Sequence, residues 1–128
     1  MRILLDTHLL LWAVTAVPQL GATAQQLLLD PGNRIYVSAA TIWEVAIKHR
    51  KHPHIMPIAP VALTDACVTS GFHRLDVSVH HAKGTAQLPL LHVDPFDRML
   101  VAQAIQEPMV LLTRDRQITA CSELVRLV

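Results

Sequence analysis

The sequence predicts an α/β domain, a mostly parallel sheet covered by helices on both faces. Short apolar runs of strand length alternate along the chain with segments of helical composition, the pattern of successive βαβ units. Several of those runs are apolar throughout, as strands buried on both faces are. The chain has 128 residues, 52% hydrophobic and 16% charged, which suits one ordinary apolar core and leaves little room for a second domain. Disorder is excluded by the low charge, and no repeat, low-complexity tract or linker divides the chain, so residues 1–128 read as a single domain.

Taken in order, Ile3-Leu4-Leu5-Asp6 is too short for a helix and reads as a buried strand ending in an acid. Thr7 is expected to cap a helix from His8 to about Ala16, stopped near Pro18. A second helix runs from Thr23 to Asp30 and ends at the turn cluster Pro31-Gly32-Asn33. Ile35 to Ser38 is β-rich and forms a second strand. Ala39 to about Arg50 is helical with apolar residues on most sides, so deep burial is expected. A Pro-rich connection then leads to a helix from Val61 to Ser70, closed by Gly71. Leu75 to Val79 alternates like a short strand, and His80 to Gln87 makes a short helix or turn. After a loop over 89–95 come a helix from Phe96 to Gln106, a strand from Val110 to Thr113, and a tail with a short helix and a last strand at Val125 to Leu127.

Composition narrows the function. Aromatics are 4%, which argues against base stacking as the main mode of recognition, and the net charge of +1 does not advertise a nucleic-acid partner. Cys67 and Cys121 are too few for a disulfide scaffold and lack metal-ligand spacing, so reduced thiols in the cytoplasm are expected. Arg2 followed by the apolar Leu9 to Val17 mimics a secretion signal, but Asp6 and His8 interrupt it. No apolar run reaches the ~18 residues of a membrane span. The eight histidines include His52 with His54 and His80 with His81, but no His-Glu-x-x-His, so a zinc enzyme is disfavoured.

The acids are more informative. In parallel sheets ligands bind beyond the carboxyl ends of the strands. Asp6 ends the first strand, Asp115 follows the strand ending at Thr113, Asp94 and Asp97 open a helix, and Glu44 lies in the helix after the second strand. Each has a plain structural role available. Asp94-Pro95-Phe96-Asp97 fits an N-cap, a proline at N1 and an acid at N3. Glu44 and Lys48 are spaced for a helical ion pair. Gathered at one edge, however, such carboxylates repel and need a cation. A hard divalent ion, Mg²⁺ or Mn²⁺, takes one or two carboxylates with waters and suits phosphodiester hydrolysis. Setting aside Asp6, Glu44, Asp94, Asp97 and Asp115 leaves 11 basic against 5 acidic residues, a remainder of +6. Lys48, Arg50, Arg98, Arg114 and Arg116 adjoin the acids and are candidate RNA-backbone contacts.

These residues in this order resemble the PIN-domain ribonucleases, in particular the VapC-type toxins. The likeness is carried by Leu4-Leu5-Asp6-Thr7-His8 with Leu11-Trp12, then Val37-Ser38-Ala39-Ala40 with Trp43-Glu44-Val45-Ala46-Ile47-Lys48. It continues through Leu88-Pro89, His92, Asp94-Pro95-Phe96-Asp97-Arg98 with the following helix, and Leu112-Thr113-Arg114-Asp115, so it spans nearly the whole chain. The resemblance implies a three-layer α/β/α sandwich, with Asp6, Glu44, Asp97 and Asp115 holding Mg²⁺ or Mn²⁺ and positioning the water that cleaves RNA. It gives Thr113, Asp94 and Thr7 supporting places, and implies a homodimer and a VapB-type antitoxin. Arg50-Lys51-His52-Pro53-His54 departs from the family's Gly-containing turn, and Ala120-Cys121-Ser122 lacks an aromatic residue often present there. A non-catalytic PIN-like module binding RNA or protein is the alternative; it would lack one or more of the four acids. A phosphoacceptor domain fits poorly, since Thr7 and His8 follow Asp6 where a second acid is wanted.

Overall fold

A computed structural model describes residues 1–90 and 94–128. Of the loop expected over 89–95, His92 and its two neighbours lie outside the described residues. The strands are β1 (Arg2–Leu5), β2 (Arg34–Ser38), β3 (His73–Leu75), β4 (Val110–Thr113) and β5 (Val125–Leu127). The α-helices are α1 (Thr7–Thr15), α2 (Ala22–Leu29), α3 (Ala39–Lys51), α4 (Pro60–Thr69), α5 (Val79–Gly84) and α6 (Pro95–Gln106). Short 3₁₀ turns occupy Pro18–Leu20, Thr85–Gln87 and Arg116–Cys121.

The strands form one sheet in the order β3-β2-β1-β4-β5, and every pairing is parallel. The expected mostly parallel sheet is thus wholly parallel among the described residues. From β1 the chain builds outward through β2 and β3, then returns to add β4 and β5 on the other side. The order reverses between β1 and β4, where a crevice opens at the carboxyl ends of the strands.

The pleat explains why β1 and β4 are apolar throughout. Ile3 and Leu5 of β1 and Leu112 of β4 join a core with Leu9, Leu10, Val45 and Leu63 on one face. Leu4 and Leu111 point the opposite way, into a second core with Leu100, Val101, Ala104 and Met109. Successive residues of a strand alternate between faces, so a strand with helices on both sides must be apolar at every position. The three-layer arrangement follows.

Three expectations need correction. Asp6, not Thr7, caps α1: its Oδ1 accepts from Leu9 N at 2.8 Å. Thr7 turns inward instead and donates to Glu44 at 2.6 Å. The third strand is His73–Leu75, not Leu75 to Val79. Ser78 N-caps α5 in a reciprocal pair with His81, so the polar–apolar alternation there belongs to a turn and a cap. The edge strand β3 carries exposed His73 and Arg74, as edge strands that resist pairing with another chain do. Finally, α3 is only half buried. Ala40, Thr41, Glu44 and Val45 face inward, but Trp43 is 64% exposed and meets Phe96 edge-on with ring centroids 5.3 Å apart.

The remaining elements lie within a few residues of expectation. Gly71, at φ +75°, turns the chain after α4 in the left-handed region that favours glycine. Cys67 and Cys121 are both unpaired. Among the described residues, no helix is long and apolar enough to cross a membrane.

Candidate metal centre at the sheet's switch point

At the carboxyl ends of β1 and β4 lies a cleft of about 480 Å³. Its walls include Asp6, Glu44, Asp94, Asp97 and Asp115, all five acids that the sequence singled out. Each arrives from a different local device. Asp6 is the N-cap of α1, placed there by the end of β1. Glu44 sits on the buried face of α3, and Asp115 caps the 3₁₀ turn after β4 through Gln117 N at 2.8 Å. Asp94 caps α6, accepting from Phe96 N at 2.8 Å and Asp97 N at 3.2 Å, with Pro95 in the first turn. The structural reading of Asp94 therefore holds, and its consequence is to fix the turn that carries Asp97.

Asp6 spans the switch point. Its second oxygen accepts from the Thr113 hydroxyl at 2.6 Å, tying the end of β1 to the end of β4. Thr113 is fully buried, and its oxygen also accepts from Asp115 N at 3.0 Å. One hydroxyl thus orients the first acid and the backbone of the fourth. Asp6 itself is buried, and that desolvation pushes its carboxyl above the ordinary aspartate value. The Thr113 hydroxyl, Leu9 N–H, the His8 charge and Arg114 N–H partly oppose the rise.

For Glu44 the ion-pair reading holds. It is buried, its Oε1 accepts from Thr7, and its Oε2 pairs with the Lys48 ammonium. The expected helical ion pair is present, and both its members line the cleft.

The donor set suits a hard divalent cation. Every candidate ligand is a carboxylate oxygen, and a nearby positive charge would favour the ionised form of the desolvated Asp6. Among the described residues no three His, Cys, Asp or Glu side chains gather closely enough to enclose an ion by themselves.

The basic residues divide. Arg114 and Lys48 line the cleft, and the Arg114 guanidinium lies 5.7 Å from the Trp12 ring centroid. Arg50 and Arg116 are exposed but outside the cleft lining. Arg98 faces elsewhere: it donates to the carbonyls of Thr85 and Pro89, each at 2.7 Å, and of Leu88 at 3.3 Å. It secures the segment leading toward Asp94. Two wall residues were missed as site residues by sequence reasoning. His8 and Trp12 lie one helical turn apart on α1 and face the cleft together. The signal was their spacing behind Asp6, the same i, i+4 relation that marks Glu44 and Lys48.

The chain is an all-parallel α/β/α sandwich with acids where its strand order reverses, and comparison with known proteins gives the family. The chain belongs to the PIN domain family, whose pattern it matches over residues 3–124. Its fold is that of a chain in the crystal structure of VapBC2 from Rickettsia felis bound to a DNA fragment from their promoter. That likeness has a TM-score of 0.72 at 17% identity, covering 100% of this chain and 98% of the other. The DNA-bound VapBC from Salmonella typhimurium is similar with a TM-score of 0.70 at 17% identity over 100% and 97% of the two chains. VapC20 of Mycobacterium tuberculosis, described as a toxin that cleaves the sarcin–ricin loop, is similar with a TM-score of 0.63 at 16% identity over 97% and 98%. No curated protein sequence matches the chain.

Proposed function

We propose that this protein is a VapC-type toxin, an endoribonuclease that hydrolyses RNA phosphodiester bonds with Mg²⁺ or Mn²⁺. One observation carries the reading: Asp6, Glu44, Asp97 and Asp115, brought by different segments, share one cleft at the reversal of strand order. Membership of the PIN family and a fold shared with VapBC proteins support it.

Asp6 and Asp97 would hold the ion, with Glu44 and Asp115 beside them. A divalent ion bound there would polarise a phosphoryl oxygen and acidify a water. The chain's own residues do the positioning. Leu9 N–H and Thr113 fix both oxygens of Asp6. Thr7 and Lys48 hold Glu44 in a set orientation, from which its carboxylate orients the attacking water. Gln117 N–H fixes Asp115. Lys48 and Arg114 on the cleft wall attract the RNA backbone, and Arg50 and Arg116 extend that field. Arg98 serves by holding the segment at Thr85 to Pro89.

The partners in this reading are RNA, a VapB-type antitoxin that blocks the cleft, and a second copy of the chain, all in the cytoplasm. Apolar surface around the exposed Trp43, beside hollows of about 510 and 370 Å³, offers area for protein contacts.

Expression with and without the cognate antitoxin, together with mapping of RNA ends, tests the proposal. Growth arrest relieved by the antitoxin and absent in Asp97→Asn, with new 5′-phosphate ends on cellular RNA, is the expected result. Unrestricted growth and intact RNA with folded protein present would favour the binding module.

A further inference from the structure

Beside the acidic cleft lies a second hollow of about 420 Å³. The two share His8, Trp12 and Lys48 as lining, so they are neighbouring chambers of one groove. The larger apolar hollow at Trp43 and Phe96 shares no lining residue with the acidic cleft. The lining of the second chamber also includes His52, Ile55 and Met56. His52 falls in the Arg50-Lys51-His52-Pro53-His54 stretch that departs from the family pattern, Ile55 and Met56 follow it, and His49 of α3 meets the Met56 carbonyl through its Nδ1 at 2.8 Å.

We propose that this chamber is a subsite for one nucleobase of single-stranded RNA, flanking the phosphate held at the acids. The inference rests on RNA as the substrate of the acidic cleft. A strand with a phosphate at Asp6 must lay a neighbouring nucleoside in an adjoining space, and this hollow adjoins through three shared wall residues. Its chemistry fits a base. Trp12 and the His8 imidazole supply flat faces, and Ile55 and Met56 supply apolar contact. Lys48, shared by both chambers, places positive charge beside the groove, and the exposed Lys51 lies about one helical turn further along α3. A paired base could not enter, because only an unstacked base presents its faces. Low aromatic content overall does not weigh against this, since one of the two tryptophans stands at the groove.

Ile55 is 79% exposed, so Ile55→Asp tests the chamber without disturbing the core. Leu29→Asp, at a residue 81% exposed on α2, is the control for added charge. Binding of a fluorescein-labelled single-stranded RNA octamer is measured by anisotropy in EDTA, beside a duplex of the same sequence. A Trp43→Phe background leaves Trp12 as the fluorescent reporter. The expected result is tighter binding of the single strand, quenching of Trp12, and roughly tenfold weaker binding in Ile55→Asp but not in Leu29→Asp, about 1.4 kcal/mol. Binding unchanged in Ile55→Asp, or weakened only toward a protein partner, overturns the subsite. Cleavage with unaltered KM and cut-site preference in Ile55→Asp overturns it while leaving the nuclease standing. Groove-dependent binding of the octamer without cleavage in metal supports the subsite and removes the nuclease.

Discussion

At Asp6 one carboxylate oxygen caps α1 and the other accepts from Thr113, in a site shielded from water. The folded pKa lies above the ordinary value, so folding takes up a proton at pH values between the two. The ionised Asp6 therefore costs stability at neutral pH, and that cost fades as the pH falls through the raised pKa toward the ordinary one. Asp6→Asn keeps an oxygen for Leu9 N–H and removes the charge. In the metal-free protein the lost charge contributes a gain in Tm at neutral pH, set against the loss of the carboxylate acceptor for the Thr113 hydroxyl. The gain should shrink as the pH is lowered toward 4, as scanning calorimetry across pH can test. A Tm difference between the two proteins that does not fall with pH would mean that the buried charge costs no stability.

Among the elements, α6 shows how an ordinary capping motif serves a site. Asp94 accepts from two backbone N–H groups of the first turn, the turn that holds Asp97. Asp94→Ala should lower stability by about 1 kcal/mol, the usual cost of a lost N-cap. It should also reduce RNA cleavage, by loosening Asp97. Asp94→Asn keeps the cap and should retain most activity; a loss as complete as that of Asp97→Asn would make Asp94 a ligand instead. Denaturant titration and cleavage rates on the same samples separate the two roles. The same motif was legible in the sequence because a cap, a proline at N1 and an acid at N3 are local signals. Strand β3 was not legible, because its three residues are held by pairing to β2, a contact distant in sequence. Nor was the exposure of Trp43, since periodicity reports which residues are apolar and not which face the sheet leaves open. His8 and Trp12 were hidden for a related reason. Their face of α1 is defined by Lys48 and Asp6 across the cleft, a relation that appears only on folding.

For the whole molecule, the doubly covered sheet accounts for the apolar strands, and the reversal of strand order accounts for the place of the acids. Leu111 is fully buried at the centre of the second core. Leu111→Ala should cost about 2–5 kcal/mol, read from equilibrium unfolding in urea, because the neighbouring helix relaxes only partly into the space. A loss under ~1 kcal/mol would show that this face is packed less closely than its burial implies. The order of acid-bearing segments along the chain made the site legible, and the reversal between β1 and β4 that joins Asp6 to Thr113 became visible only in the sheet.

We propose that this cleft hydrolyses RNA with a divalent ion held by its acids. The most direct test is the cleavage rate of a defined RNA by purified, antitoxin-free protein in Mg²⁺, in Mn²⁺ and in EDTA, with folded Asp97→Asn alongside. The account predicts cleavage in both metals, none in EDTA, and a loss of at least a hundredfold in the variant, as for removal of a charged group that acts in the transition state. Equal cleavage in EDTA, or full activity of folded Asp97→Asn, would contradict it.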